Sequence, residues 1–197
     1  GVANSPEKLD KYLDTIYSKT IVLQKLVDNM AEYSELELGR MQYAFEFIDM
    51  TEMLTELSEG YKTEAQEQGF QMENHIIPEK MVIVGDKSKL KRVFDNLMSN
   101  AVKYNREGGT ISLSLGKERK GALICISDTG KGIKEKDINK VFDGFYRGDA
   151  ARSNIKGNGL GLGISKQIIE SHHGKIWIKS EEDVGTEVYI YLPLRSY

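Results

Sequence analysis

The chain has 197 residues, of which 40% are hydrophobic and 29% charged, and its formal net charge is −3. This composition is typical of a globular protein and argues against intrinsic disorder and against a dedicated nucleic-acid binder, which would carry a basic surface. No apolar run reaches the roughly 20 residues that a membrane helix needs. Cys125 is the only cysteine. This excludes an internal disulfide and fits a reducing compartment, and we expect an inert, buried thiol there.

The first forty residues are predicted to form one long helix. Ser5-Pro6-Glu7 is a helix-start signal, and Gly39 is a plausible end. Eight positions follow one another at alternating steps of four and three, and six of them are apolar: Leu9, Leu13, Ile16, Thr20, Leu23, Val27, Met30 and Ser34. The pattern fits either an amphipathic helix on its own domain or half of a dimerising hairpin. The length and the seven-residue repeat favour the hairpin.

The rest of the chain alternates between helix-like and strand-like segments. Strands are predicted at 42–49, 70–77, 81–84, 110–115, 122–127, 175–180 and 186–192, and helices at 50–68, 86–104 and 160–172. A polar, glycine-bearing loop is predicted over 128–158. Paired strands between helices predict an α+β fold, with an antiparallel or mixed sheet and helices on one face.

A glycine run precedes the last predicted helix, at Gly157, Gly159, Gly161 and Gly163. Glycines let backbone amides approach phosphate oxygens, and a helix start adds its dipole. The spacing fits neither the dinucleotide fingerprint nor the phosphate loop ending in Gly-Lys-Ser/Thr. Close helix packing explains the run equally well when it is taken alone.

A second cluster, Asp128-Thr-Gly130-Lys-Gly132, follows a buried-looking strand. An ionised carboxylate only accepts hydrogen bonds, so an adenine amine is a fitting donor, and the glycines would let the ring come close. A simple Asp-Thr-Gly turn is the alternative.

A third cluster lies on the helix predicted at 86–104. Asn96 and Asn100 are four residues apart on one face, and an asparagine oxygen suits Mg²⁺ bound to phosphates. Lys103 is placed to neutralise phosphate charge, and Tyr104 is placed to stack on a base. The alternative is a solvated polar face whose last lysine satisfies the helix dipole.

Taken together and in order, the motifs closely resemble the ATP-binding domain of sensor histidine kinases, a group of the GHKL (Bergerat-fold) ATPases. The resemblance covers about residues 45–194. The first helix is similar to the second helix of the kinase dimerisation hairpin. The motifs, in chain order, are Asn96-x-x-x-Asn100, Asp128-x-Gly130-x-Gly132-Ile133, Phe142-x-x-Phe145-Tyr146-Arg147, Gly157-x-Gly159-Leu160-Gly161-Leu162 and Gly185-Thr186.

The resemblance implies a two-layer α/β sandwich preceded by a long helix, with a hairpin helix at 1–42 and an ATP-binding domain at 43–197. It implies that Asn100 holds Mg²⁺ with Asn96 beside it, that Lys103 contacts phosphate and that Asp128 reads adenine. The remaining implied nucleotide contacts are Tyr104, Gly130, Gly132, Ile133, Phe145, Tyr146, Arg147, Gly157, Gly159, Leu160, Gly161, Leu162 and Thr186. Phe142 and Phe145 would anchor a mobile lid, and Lys103 and Arg147 would act with Asn100 in catalysis.

The sequence departs from the family pattern at three places. Asn105-Arg106 replaces a common Ser/Thr-Pro after Lys103-Tyr104, and Gly144 replaces a common arginine in the lid motif. The third departure is larger, because the phosphoacceptor histidine motif is absent. His75, His172 and His173 read as structural residues: a strand edge and a polar or cationic helix end.

The expected function is therefore the ATP-binding catalytic portion of a histidine kinase, which transfers the γ-phosphoryl group to a histidine outside this sequence. A GHKL-type ATP hydrolase and a degenerate, non-catalytic interaction module are the alternatives. Expected partners are ATP, the dimerisation hairpin and a response regulator, with no nucleic acid or membrane contact by this piece. Because the chain does not begin with Met, we expect a piece of a longer protein. The resemblance implies that the parent is homodimeric and membrane-tethered and that the present part is cytoplasmic.

Overall fold

The structure is a computed structural model that describes residues 6–147 and 159–195. The chain divides into two compact units, Gly1–Met41 and Gln42–Tyr197. The helices are α1 (Pro6–Glu37), α2 (Met50–Glu67), α3 (Lys87–Tyr104), α4 (Glu135–Ile138) and α5 (Gly161–Ser171). The strands are β1 (Glu46–Asp49), β2 (Gln71–Ile76), β3 (Val82–Gly85), β4 (Thr110–Glu118), β5 (Gly121–Asp128), β6 (Lys175–Glu181) and β7 (Gly185–Pro193).

The first unit contains α1, which is 32 residues long. The helix ends where Arg40 N–H donates to Glu35 O and Gly39 takes a positive φ of 62°, which suits a glycine at a helix C-terminus. Several positions of the heptad seam are more than half exposed: Leu13, Ile16, Leu23 and Val27. The predicted long helix is confirmed, and its seam is open to solvent.

The second unit is built on a five-stranded mixed sheet of order β2-β4-β5-β7-β6. Strand β2 runs parallel to β4, and the other neighbours are antiparallel. Alternate residues of the central strands are buried, and α2, α3 and α5 contact the sheet. The buried side chains of the central strands β4, β5 and β7 are Ile111, Leu113, Leu115, Ile124, Ile126, Val188, Ile190 and Leu192. The predicted α+β sandwich, with a mixed sheet and helices on one face, is confirmed.

Cys125 lies on the opposite, open face of this sheet, in register with Tyr189. It is half-buried, and burial raises the pKa of its thiol to about 11. The thiol is therefore protonated near neutral pH, as expected for an unreactive cysteine. Beside it the rings of Trp177 and Tyr189 stack with 5.3 Å between centroids.

A segment that enters the second unit, 42–45, was predicted to be part of a strand. Strand β1 is shorter, because β3 offers pairing partners only as far as Glu46 opposite Gly85. Ala44 N–H instead donates to the Asp86 carboxylate at 2.9 Å, and Tyr43 Oη donates to Ser171 Oγ at 3.0 Å. We call residues 42–45 the connector. The Ala44 N–H is bound by a side chain and not by a neighbouring strand, which explains why the connector leaves the β-ladder.

His172 follows α5 and lies beside the connector. Its Nδ1–H donates to Ile168 O at 2.7 Å, and its Nε2 accepts from Asp86 N–H at 2.9 Å. Burial lowers the pKa of His172, although the hydrogen bond to Ile168 O and the charge of Asp86 act to raise it. The expectation of a structural histidine fits, but a cationic helix end is wrong at this position because the buried ring must be neutral to accept the Asp86 amide.

Two predicted loop features need correction. The stretch 128–158 was predicted as continuous loop, but it contains the four-residue helix α4, in which Asp137 is buried. The hairpin β4–β5 is longer than predicted. It continues through Lys117 and Glu118 to a turn at Arg119, whose φ is 53°.

Candidate functional site

Helix α3 carries the first group of candidate residues. Asp86 caps the helix by accepting from Lys89 N–H at 3.0 Å, and an apolar stripe that includes Phe94 and Met98 is buried against the sheet. This packing leaves Asn96, Asn100 and Lys103 on another side of the helix, where each is half-buried. Polar groups held at a half-buried position are well placed to meet a ligand.

Asp128 stands at the end of β5, opposite Thr186 of β7. Its Oδ1 accepts from Gly130 N–H at 2.9 Å. Burial raises the pKa of Asp128 to about 6, although hydrogen bonds from the Gly130 and Thr186 backbone amides work in the opposite direction. The carboxylate is thus partly stripped of water and retains acceptor capacity for another donor.

The loop after Asp128 lies directly against the end of α3. Lys131 N–H donates to Tyr104 O at 3.1 Å. A Cβ at Gly130 would collide with that same carbonyl, so the close approach requires glycine. Asn105, which replaces the family's common hydroxyl residue, is buried and donates to Thr110 O at 3.3 Å. Asn105 at this position therefore contributes a structural hydrogen bond.

Ser180 connects the next part of the site, and sequence reasoning missed it because a hydroxyl in a strand is no signal on its own. Its Oγ accepts from Ile133 N–H at 2.9 Å and donates to Gly185 O at 2.7 Å, and it lies 2.9 Å from the Thr186 hydroxyl. Gly132 has a φ of 63° and lies against Glu181 O, where a Cβ would clash. The Asp128 loop is thereby fixed to β6 and β7.

Two positively charged side chains, those of Lys103 and Arg147, lie near the side chain of Tyr104. Lys103 Nζ lies 5.0 Å from the centroid of the Tyr104 ring. Burial, and then the nearby Arg147, lower the pKa of Lys103. Burial also raises the pKa of Tyr104, with Arg147 opposing this shift. Because two positive groups share this half-buried place, an anion bound between them would relieve their repulsion.

The start of α5 completes the site. Gly159 has a φ of 72° and lies against the backbone of Phe145 and Tyr146. Leu160 is fully buried, and no side chain among the described residues caps the helix. The backbone N–H groups of the first turn, including that of Leu162, can therefore donate hydrogen bonds to an anion.

The lid motif is only partly described. Phe145 is exposed and has a positive φ of 64°, and Tyr146 Oη donates to the buried Asp137 carboxylate at 2.6 Å. Asp137 was missed in the sequence because α4 is too short to give a periodic pattern. Gly157, which was predicted to contribute to the hinge, lies outside the described residues.

The geometry thus joins three sequence-distant parts around the C-terminal end of α3. The loop that begins at Asp128, which we call the acidic corner, contacts the backbone carbonyl of Tyr104 through Lys131 N–H. Lys103 and Arg147 lie near the side chain of Tyr104. Asn96 contacts the start of α5 through Gly161 and Ser165. One end of the site suits a hydrogen-bond donor and the other suits an anion, which is the pattern that a nucleotide needs.

A family model supports this interpretation. The family described as "Histidine kinase-, DNA gyrase B-, and HSP90-like ATPase" matches residues 85–196, more than half of the chain. The chain belongs to this ATPase family. The matched range contains every described residue that was assigned to the nucleotide site.

Curated relatives of this ATPase are sensor kinases. It is 32% identical over 199 residues to the sensor histidine kinase WalK of Bacillus subtilis, a match that spans 100% of this chain and 32% of WalK. It is 32% identical over 197 residues to WalK of Staphylococcus aureus, spanning 98% of this chain and 47% of that protein. The chain thus spans about a third to about half the length of these curated relatives.

Solved structures agree on the fold. The mycobacterial sensor histidine kinase MprB matches with a TM-score of 0.66 at 29% identity, over 78% of this chain and 100% of that one. Full-length ShkA in complex with AMPPNP matches with a TM-score of 0.84 at 21% identity, over 100% of this chain and 41% of that one. ThkA in complex with the response regulator TrrA matches with a TM-score of 0.76 at 22% identity, over 98% and 53% respectively.

Proposed function

We propose that this chain is the ATP-binding catalytic portion of a sensor histidine kinase and that it transfers the γ-phosphoryl group of ATP to a histidine outside this sequence. The observation that carries the proposal is the joining of the acidic corner at Asp128 to the cationic pair Lys103 and Arg147 across Tyr104. A purine amine and a phosphate chain make opposite electrostatic demands, and this arrangement meets both.

The adenine end is formed by the Asp128 corner. Asp128 accepts from the adenine amine. Gly130 and Gly132 hold the loop after Asp128 in place, because each lies so close to a backbone carbonyl that no side chain fits. Thr186, opposite Asp128 in the sheet, and Ile133 border the same place. Tyr104 closes it from α3.

The phosphate end is formed by Lys103, Arg147 and the first-turn amides of α5. These groups hold the phosphoryl group by charge and orientation, which is how most of the acceleration in phosphoryl transfer arises.

The residues present also fit Mg²⁺. Asn100 is half-buried beside this group, and in the described part of the chain no group hydrogen-bonds its amide. A neutral amide oxygen is a suitable ligand for a hard cation. The ion would supply charge neutralisation for the phosphates, with Asn100 as its protein ligand.

The hydrolase alternative needs a base to activate water. Asn96 occupies the position where the hydrolases of this family carry a glutamate, and an amide takes no proton at neutral pH. Its nitrogen is engaged by Ser165. This observation favours transfer to an acceptor over direct hydrolysis.

The acceptor is proposed to lie on another helix. His172 is buried, and His75 is an exposed strand residue 3.3 Å from the Glu73 carboxylate. The exposed His173 follows the C-terminal end of α5, whereas the proposed phosphate site is at the start of that helix, so none of the three is presented for in-line transfer at this site. The exposed apolar seam of α1 fits the second helix of a dimerisation hairpin.

We further propose a response regulator as the downstream partner, and a homodimeric, membrane-tethered parent whose present part is cytoplasmic. The similar kinase ThkA was solved in complex with the response regulator TrrA. Within the described residues, no helix is both long and apolar enough to cross a membrane.

The test is a titration of the chain with Mg-ATP beside an Asp128→Asn variant, followed by incubation with labelled ATP. We expect saturable binding by the native sequence, its loss in the variant, and no phosphate stably attached to the chain. A separate hairpin that carries a histidine should then be phosphorylated in trans. Absence of binding would favour a non-catalytic module, and steady hydrolysis without an acceptor would favour the hydrolase.

A further inference from the structure

The side chain of Asn96 lies across the first turn of α5. Its Nδ2 donates to Ser165 Oγ at 3.0 Å, and Ser165 is only 1% exposed. Its Oδ1 occupies the space that a Cβ at Gly161 would need. Positions 161 and 165 are about one helical turn apart, so one amide contacts both ends of that turn.

The opposite side of the same turn is also restrained. A Cβ at Gly163 would lie 3.0 Å from Phe142 O, so the helix backbone is close to that carbonyl. No described side chain caps α5, and Leu160 before it is fully buried. Contacts on both sides therefore restrain the direction of the first-turn amides.

We infer that Asn96 is a positioning residue that fixes the first turn of α5 against α3, and that it is not a metal ligand. The inference rests on the proposed nucleotide site. Helix α3 also carries Asn100 and Lys103, so the Asn96–Ser165 bond sets the spacing between those groups and the α5 amides. This role differs from the place beside Asn100 at the metal that the family resemblance implied for Asn96.

The test compares Asn96→Ala and Ser165→Ala with Asn100→Ala by calorimetric titration. Three probes are used: ATP with Mg²⁺, ATP with a chelator, and adenosine. Loss of one hydrogen bond that positions the amides should weaken ATP binding about fivefold. We expect this weakening in both positioning variants, with and without Mg²⁺, and unchanged adenosine affinity. The double variant should bind ATP no more weakly than the weaker single variant.

Asn100→Ala should behave differently, because it should weaken ATP binding only when Mg²⁺ is present. The inference is overturned if Asn96→Ala shows that same metal-restricted loss, or if Ser165→Ala binds ATP with native affinity. Ser165→Ala removes one hydroxyl, so it provides the measurement if Asn96→Ala does not fold. Failure of the proposed function has a separate signature: the native chain would then bind neither ATP nor adenosine.

Discussion

Replacing Asp128 with asparagine should make the protein more stable and remove its nucleotide binding. Burial raises the pKa of Asp128 from 3.8 to about 6, so at neutral pH the folded state holds an ionised group that it disfavours. This rise in the pKa of Asp128, from 3.8 to about 6, corresponds to about 3 kcal/mol. Because the side chain is half-buried, solvent screening reduces this to about 1–2 kcal/mol. The amide of asparagine can still accept from Gly130 N–H, so the turn should persist.

The pH dependence of stability shows whether ionised Asp128 stabilises or destabilises the fold. A carboxyl whose folded pKa is raised contributes no penalty below about pH 4, and its destabilising effect grows as pH rises to about 6. Urea unfolding should therefore show little difference between Asp128→Asn and the native chain at pH 4 and an advantage for the variant at pH 7. Mg-ATP affinity should fall at least about tenfold at pH 7, because a charge-assisted hydrogen bond is lost.

Asp14→Asn is the matched control, since Asp14 is exposed on α1. It should change neither stability nor affinity. A variant at Asp128 that is less stable than the native chain at pH 7 would refute the assignment of a burial penalty. Native ATP affinity in that variant would refute the adenine-reading role.

Three further outcomes are expected. Native ATP affinity should decline as the pH is lowered through about 6, where Asp128 becomes protonated, and a pH-independent affinity between 5 and 8 would contradict this. His172→Asn should lower the free energy of unfolding by about 2 kcal/mol at pH 7, because the buried contacts to Asp86 and Ile168 are disrupted. Since the pKa of His172 is lowered, the stability of the native chain should also fall as the pH drops below about 6.5. Urea unfolding of the variant should lack this pH-dependent contribution. Lys103→Met should weaken ATP about tenfold and leave adenosine unchanged in titrations, whereas equal losses for both ligands would contradict a phosphate role.

The elements with strong periodicity were predictable from the sequence. The stripe containing Leu90, Phe94 and Leu97 placed α3 within one residue of its observed start, because Asp86 is its cap. The connector was overpredicted as strand, since its alternating aromatics resemble a strand while its partner is the distant Asp86 carboxylate.

The site was predictable where glycines and polar residues cluster locally. Asp128 and Gly130 are two residues apart, and their hydrogen bond is local. The bonds of Ser180 to Ile133 and of Asn96 to Ser165 span 47 and 69 residues. No local pattern encodes such pairs, because they exist only once the sheet and helices have packed.

Helix α5 is held at both ends by different parts of the second unit. Its first turn is fixed by Asn96. At its other end the last helical residue, Ser171, accepts a hydrogen bond from Tyr43 of the connector. His172, which follows, accepts from the backbone N–H of Asp86, whose carboxylate binds the connector at Ala44. Eleven helical residues extend about 16 Å. A helix this short resists bending, because each backbone hydrogen bond joins successive turns. A displacement of the connector would therefore reach the first-turn amides of α5, and a ligand bound at those amides would in turn restrain the connector.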